Sequence, residues 1–152
     1  MYSLILENDT KQKVELTHNV EYSVLEIQGL NPPSATINTS ETALFDGGRF
    51  VSSKVDMRSI NISIGINRNA ESNRLALYKI VKPKQHITLY YKNGQRDVYI
   101  EGYVESIEVD YFGMKQTVEI SILCPEPYFK NAEQMIQEVT VIIGAFHFPF
   151  AI

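Results

Sequence analysis

Apolar and polar residues alternate along two stretches of the chain with the period of a strand that buries one face. In the segment 59–67, isoleucine occupies every second position from Ile60 to Ile66. The segment 118–124 repeats the pattern and ends on Cys124, which falls on the apolar side. We therefore predict two strands that face one core, with Cys124 as a buried thiol in that core.

Turn-forming residues divide other apolar segments into hairpins. Asn93 and Gly94 separate the apolar segments 87–92 and 98–100, and this pair favours the positive φ angles of a type I′ turn. Near the N-terminus, the polar stretch 7–12 separates two short apolar segments. The sequence thus predicts one hairpin at Asn93-Gly94 and another at the start of the chain.

A second long hairpin is predicted with its tip at Phe112-Gly113-Met114. The strand that leads to this tip begins at Val98, and its apolar positions change parity partway along, which predicts a bulge near Glu105-Ser106. The tip carries the apolar residues Tyr111, Phe112 and Met114. Two interpretations remain open: the tip folds back on its own core, or it reaches a neighbouring subunit.

One helix is predicted between the strands, with Asn69 as its N-terminal cap and Pro83 as its stop. The segment 38–58 shows no strict period and is interpreted as a long loop or arm joining two strands. These elements predict a mainly β fold, an antiparallel sandwich or barrel with one short α-helix and extended hairpins.

Composition and charge narrow the classes of function. The 152 residues are 44% apolar, which suits one globular unit. The net charge of −4 comes without a basic block, so a nucleic-acid-binding surface is not expected. The apolar C-terminal run 139–152 is shorter than the ~20 residues that cross a bilayer and contains His147 and Pro149, so we expect no membrane insertion.

The search for reactive groups predicts neither an enzyme nor a cofactor or metal site. The three histidines lie far apart, without the spacing of common metal sites. Acidic residues could serve in glycoside hydrolysis, but alternation places Glu108 and Asp110 on the polar face of a strand. A solvated face is the simpler interpretation of these acids.

Five short phrases, in order along about a hundred residues, resemble the N-terminal domain of the distal tail proteins of long-tailed bacteriophages. Each phrase is short, and their shared order carries the resemblance. They are Gly29-Leu30-Asn31-Pro32-Pro33, Asp46-Gly47-Gly48, Arg58-Ser59-Ile60-Asn61-Ile62, Gly102-Tyr103-Val104-Glu105 and Cys124-Pro125-Glu126-Pro127-Tyr128-Phe129.

The resemblance implies a structural protein of the virion, made in the bacterial host cytoplasm. It implies a homohexameric ring at the distal end of the tail, which joins the tail tube to the tip or baseplate proteins and lines the channel through which DNA passes without specific binding. We expect residues 1–140 to form the ring-forming domain and residues 141–152 to begin a linker or a truncated C-terminal domain.

Candidate surfaces for such a ring follow from the exposed elements. A ring built by one repeated contact needs a donor surface and a different acceptor surface on each subunit, and long hairpins suit the donor role. The candidate interface residues are Tyr111, Phe112, Met114, Phe45 and Phe50. The candidate channel-lining residues are Asp46, Glu108 and Asp110, whose charge would keep DNA from adhering.

A carbohydrate-binding β-sandwich that acts in host adhesion is the alternative. It would also be rich in strands and tyrosine. Such modules usually present exposed aromatic side chains in a groove, and this chain has no tryptophan. Binding of the isolated domain to a glycan array would favour this alternative.

Overall fold

The computed structural model describes residues 2–132, and within them the chain forms ten strands and one helix. The C-terminal run 139–152, and with it the predicted start of a linker or second domain, lies outside the described residues. The strands are β1 (Ser3–Asn8), β2 (Lys13–Glu15), β3 (Tyr22–Gln28), β4 (Ala35–Ser40), β5 (Arg49–Val55), β6 (Arg58–Ile66), β7 (His86–Lys92), β8 (Asp97–Asp110), β9 (Thr117–Cys124) and β10 (Lys130–Asn131), and the helix is α1 (Ala70–Ile80).

Eight of these strands form one antiparallel sheet. Its order is β2-β1-β7-β8-β9-β6-β3, and β10 pairs with β8 beside this path. The strands β4 and β5 pair only with each other and form a separate two-stranded sheet. The mainly β, antiparallel fold with one short helix is therefore confirmed.

The core lies where the two predicted alternating strands meet. β6 and β9 are neighbours, and their register sets Ile60 opposite Ile122 and Ile62 opposite Ile120. All four side chains are almost completely buried, and so is Cys124. Removing each large apolar side chain from water stabilises the fold by about 1.5–3 kcal/mol, so this ladder is a main source of stability.

The helix α1 begins and ends close to its predicted limits, and Leu77 is fully buried in the core. The predicted cap at Asn69 is wrong in one respect, because the Asn69 side chain makes no capping hydrogen bond. Asn69 adopts a left-handed conformation, with φ 44° and ψ 56°, whereas a capping side chain normally needs an extended backbone.

The hairpin of β7 and β8 is confirmed, but its type I′ turn is wrong. Positive φ is found neither at Asn93 nor at Gly94. The Asn93 side-chain oxygen instead accepts hydrogen bonds from the backbone N–H groups of Gln95 (2.8 Å) and Arg96 (2.7 Å). These side-chain hydrogen bonds replace the backbone hydrogen bond of a two-residue turn. The loop between β7 and β8 accordingly contains four residues, 93–96.

The predicted bulge in the long strand β8 is confirmed. The register between β8 and β9 shifts between Val104 and Ser106. Because of this shift, Val104 and Ile107 both point to the core side although their parity differs.

The segment 38–58 is largely strand, so its interpretation as a loop is wrong. β4 and β5 form a hairpin in which every strand residue is exposed. We call this hairpin, residues 35–55, the arm. The interpretation of the segment as an arm is the one that the fold supports.

Candidate assembly surfaces

The arm has one apolar face and one polar face, which its strand register defines. Residues that pair across antiparallel strands point to the same side. Ala35 pairs with Val55, and Ile37 pairs with Ser53. The register then shifts, and Thr39 pairs with Phe50. Val51 is therefore the extra residue of a bulge. A bulge directs its two adjacent side chains to one side of the ribbon. The apolar face therefore contains Ile37, Phe50, Val51 and Val55.

This apolar face is uncovered in the single chain. Ile37 is 63% exposed and Phe50 64% exposed, and at the tip of the arm Leu44 and Phe45 are exposed still further. An isolated two-stranded hairpin is marginally stable in water, so the arm gains order from a surface that covers it. Of these residues, only Phe45 and Phe50 are among the candidate interface residues predicted from the sequence.

The buried residue Arg58 lies at the root of the arm. Arg58, the first residue of β6, donates from Nε to the Pro127 carbonyl (2.8 Å) and from Nη1 to the Gly29 carbonyl (2.7 Å). Nη1 also donates to the Asn31 carbonyl, and the guanidinium lies 4.9 Å from the centre of the Phe129 ring. Three of the phrases identified in the sequence thus meet at one side chain.

The tip of the β8–β9 hairpin is the second exposed apolar feature. Phe112 and Met114 are fully exposed, which contradicts the interpretation in which they fold back on their own core. Tyr111 is half exposed, and its ring lies 4.8 Å from the guanidinium of Arg74 on α1. Asp110 accepts a hydrogen bond from the Phe112 N–H (3.1 Å). These contacts hold the base of the tip while Phe112 and Met114 point outwards.

An acidic row crosses the outer face of the large sheet. Glu26 on β3 pairs with Ser63 on β6, Ser63 pairs with Glu119 on β9, and Glu119 pairs with Glu108 on β8. Three carboxylates thus lie on one line over four strands, and Glu108 directly faces Glu119. Like charges at such a position repel each other. The next row along consists of polar uncharged residues: Gln28, Asn61, Ser121 and Ser106.

The structure brings together two of the three predicted channel-lining acids. Glu108 and Asp110 line one shallow groove on the sheet face. Asp46 lies in the turn of the arm and lines a separate recess beside Phe45. The sequence missed Glu26 and Glu119, whose position in the row depends on strand register.

Reactive groups in the described part of the chain are few. Burial raises the pKa of the Cys124 thiol to about 11, so this group is a weak nucleophile near neutral pH. Within residues 2–132, no three His, Cys, Asp or Glu side chains lie close enough to hold a metal ion. Across the same residues, no helix has the length and apolar character needed to span a bilayer.

Comparison with solved structures shows where this fold occurs. The chain is similar to the Dit protein of phage SPP1, described as a paradigm of the hub adsorption apparatus of phages that infect Gram-positive bacteria, with 15% identity and a TM-score of 0.63. The match covers 84% of this chain and 52% of that protein. It is also similar to a chain of the activated phage p2 baseplate with calcium, at 12% identity and a TM-score of 0.61, covering 80% of this chain and 43% of that one. The chain therefore spans about half the length of these proteins.

Comparison of sequences gives the family. No curated protein sequence matches the chain significantly. The sequence model described as the phage tail protein RIFT-related domain matches residues 10–124, which include the arm, the helix and both long hairpins. The chain therefore belongs to the phage tail protein family with a RIFT-related domain and is a structural component of the virion tail.

Proposed function

We propose that the chain forms a homohexameric ring at the distal end of the tail, where it joins the tail tube to the tip or baseplate proteins and surrounds the DNA channel. The role is structural rather than catalytic. The arm carries this proposal, since its two paired strands present an uncovered apolar face outside the body of the fold. Family membership and the likeness to the SPP1 hub protein support the location.

In a ring, a neighbouring subunit can bury the apolar face of the arm, which is exposed in the single chain. In a closed ring each subunit offers one surface and receives a different one, so every arm is covered by the next subunit. The apolar face and the tip residues Leu44 and Phe45 form the donor surface. The exposed tip of the β8–β9 hairpin, with Phe112 and Met114, forms a second contact. An apolar core within a polar rim is the usual anatomy of such an interface.

The acidic row fits the channel. Glu108 and Asp110 lie on an outer sheet face with Glu26 and Glu119, and a lumen of this charge repels the phosphate backbone during passage. Asp46 joins them if the arm tip reaches the lumen. A ring structure in which basic residues dominate the lumen would refute this part of the proposal.

Light scattering tests the ring directly. The purified chain, alone and mixed with the tail tube protein, is expected to show the mass of a hexamer or of a hexamer on the tube. Phe112→Ser with Met114→Ser, and Phe50→Ser in the arm, are expected to reduce assembly while circular dichroism shows the same strand content as the native chain. Val20→Ser is the matched control, since Val20 is an exposed apolar residue outside both surfaces. A monomer under both conditions contradicts the proposal, as does equal assembly of all variants.

The sugar-binding alternative gains no support from the groove on the sheet face. Its lining consists of carboxylates, amides, hydroxyl groups and two aliphatic side chains, and it lacks an aromatic ring on which a sugar could stack. We therefore do not propose it for the described part of the chain.

A further inference from the structure

We infer that Arg58 is the positioning residue of the arm, which fixes the direction in which the apolar face points. The contacts by which Arg58 fixes this direction all lie within one chain. Its importance for assembly rests on the proposed function, in which the arm is the donor surface.

Arg58 binds backbone carbonyl groups from separate segments of the chain and, within the part of the chain that the structure describes, does not form an ion pair. The side chain is 7% exposed and donates to three backbone carbonyls, those of Gly29, Asn31 and Pro127. Among residues 2–132, no carboxylate lies within ion-pair distance of it. The ring of Phe129 packs against the guanidinium. The charge is thus balanced by carbonyl dipoles and one aromatic face.

These carbonyls are placed so that one side chain holds both ends of the arm. Gly29 and Asn31 lie in the passage from β3 into the arm, and Arg58 itself is the third residue after β5 ends. Pro127 follows β9 and belongs to the body of the fold. Arg58 therefore joins the incoming passage, the outgoing passage and the body at a single point.

Other contacts at the root tie the arm to itself. Thr36 donates to the Asp56 carboxylate (2.7 Å), and the Asp56 N–H donates to the Ser34 carbonyl (2.8 Å). Both bonds join the two sides of the hairpin, and its strands pair only with each other. Such bonds hold the two sides of the arm together but do not join the arm to the body of the fold. The rigid, planar fork of Arg58 fixes the angle between the arm and the body, which a single ammonium group cannot reproduce.

Spin labels measure the angle directly. One label is placed at Ser52→Cys on the polar side of the arm and the other at Gln95→Cys in the exposed β7–β8 loop. The Cys124 thiol is buried and is therefore expected to stay unlabelled, and dilution with unlabelled chains restricts the measured distances to one subunit. We compare the native residue at position 58 with Arg58→Met and Arg58→Lys. Arg49→Met, which removes an exposed arginine of the arm, is the matched control.

A narrow distance distribution is expected for the native chain and for Arg49→Met. Arg58→Met is expected to broaden the distribution severalfold and Arg58→Lys to broaden it partly, while circular dichroism and the melting of the sheet persist. An unchanged distribution in folded Arg58→Met overturns the inference. Unfolding of the whole chain in both variants overturns it as well, because Arg58 would then be a core residue.

The same set of variants separates this inference from the proposed function. Failure of the native chain to assemble contradicts the ring but leaves the distance measurement intact. If Arg58→Met broadens the distances and rings still form, Arg58 positions the arm and the arm is not the donor surface.

Discussion

Replacement of Gly29 by alanine is expected to destabilise the fold strongly, for two separate physical reasons. Gly29 has φ +97°, a conformation that residues with a Cβ atom rarely adopt. A Cβ at this position would also overlap the carbonyl oxygen of Ser59 and lie 3.0 Å from Cα of Ile60. Both atoms are backbone of β6, which pairs with β3 on one side and β9 on the other, so neither moves without disturbing the isoleucine ladder.

The size of the effect follows from these two costs. The positive φ costs about 1–2 kcal/mol for alanine, and the overlap with a packed strand costs about 1–3 kcal/mol. Loss of backbone freedom in the unfolded chain offsets about 0.4–1 kcal/mol. The net loss of about 1–4.6 kcal/mol, centred on about 3 kcal/mol, is a large share of the roughly 5–15 kcal/mol that holds a typical domain together. At about 2–4 °C for each kcal/mol, the melting temperature is expected to fall by about 5–15 °C.

Thermal unfolding followed by circular dichroism measures this loss, with Gly94→Ala as the control. Gly94 has no positive φ, and a Cβ there meets no atom within 4 Å, so its replacement is expected to be neutral or slightly stabilising. If Gly29→Ala melts within about 2 °C of the native chain, the strain reasoning is wrong.

Three further outcomes are expected. Gly102→Ala is expected to lower the free energy of unfolding by about 1–3 kcal/mol in urea titration, because a Cβ would lie 2.7 Å from Cγ2 of Ile122; an unchanged midpoint contradicts this. Stability is expected to fall as pH rises from about 9 to about 11, because the unfolded thiol of Cys124 ionises first; Cys124→Ala should lack that part of the pH dependence. Glu119→Gln is expected to raise the melting temperature at low salt by relieving repulsion from Glu108, and the gain should vanish at high salt.

The parts of the fold that bury one face could be predicted from sequence. Every second residue of β6 and β9 enters the core, so the alternation of Ile60, Ile62 and Ile64 records the burial directly. The bulge in β8 was also visible, because one extra residue is what lets the apolar side chains of a single strand change parity and still face the same core.

The arm and the acidic row could not be predicted in the same way. All strand residues of the arm are exposed, so neither strand needs an apolar residue at every second position. The bulge at Val51 also interrupts the alternation of side chains between the two faces. The row of Glu26, Glu119 and Glu108 exists only through the register of four strands. Arg58 finds its acceptors 27 to 69 residues away in sequence, so its role also depends on tertiary structure.

The place of the arm in the topology has a consequence for how such subunits diversify. β3 and β6 are neighbours in the sheet and pair as far as Gln28 and Asn61, so everything between them is, in topological terms, a single hairpin connection. An insertion or deletion in this connection changes the length of the arm without changing the strand order of the large sheet. A chain shortened to a tight turn between these strands should retain its core and, in the proposed ring, lose the arm's contact with the neighbouring subunit. Varying this one connection can therefore change the exposed surface of the subunit while the rest of the sheet stays the same.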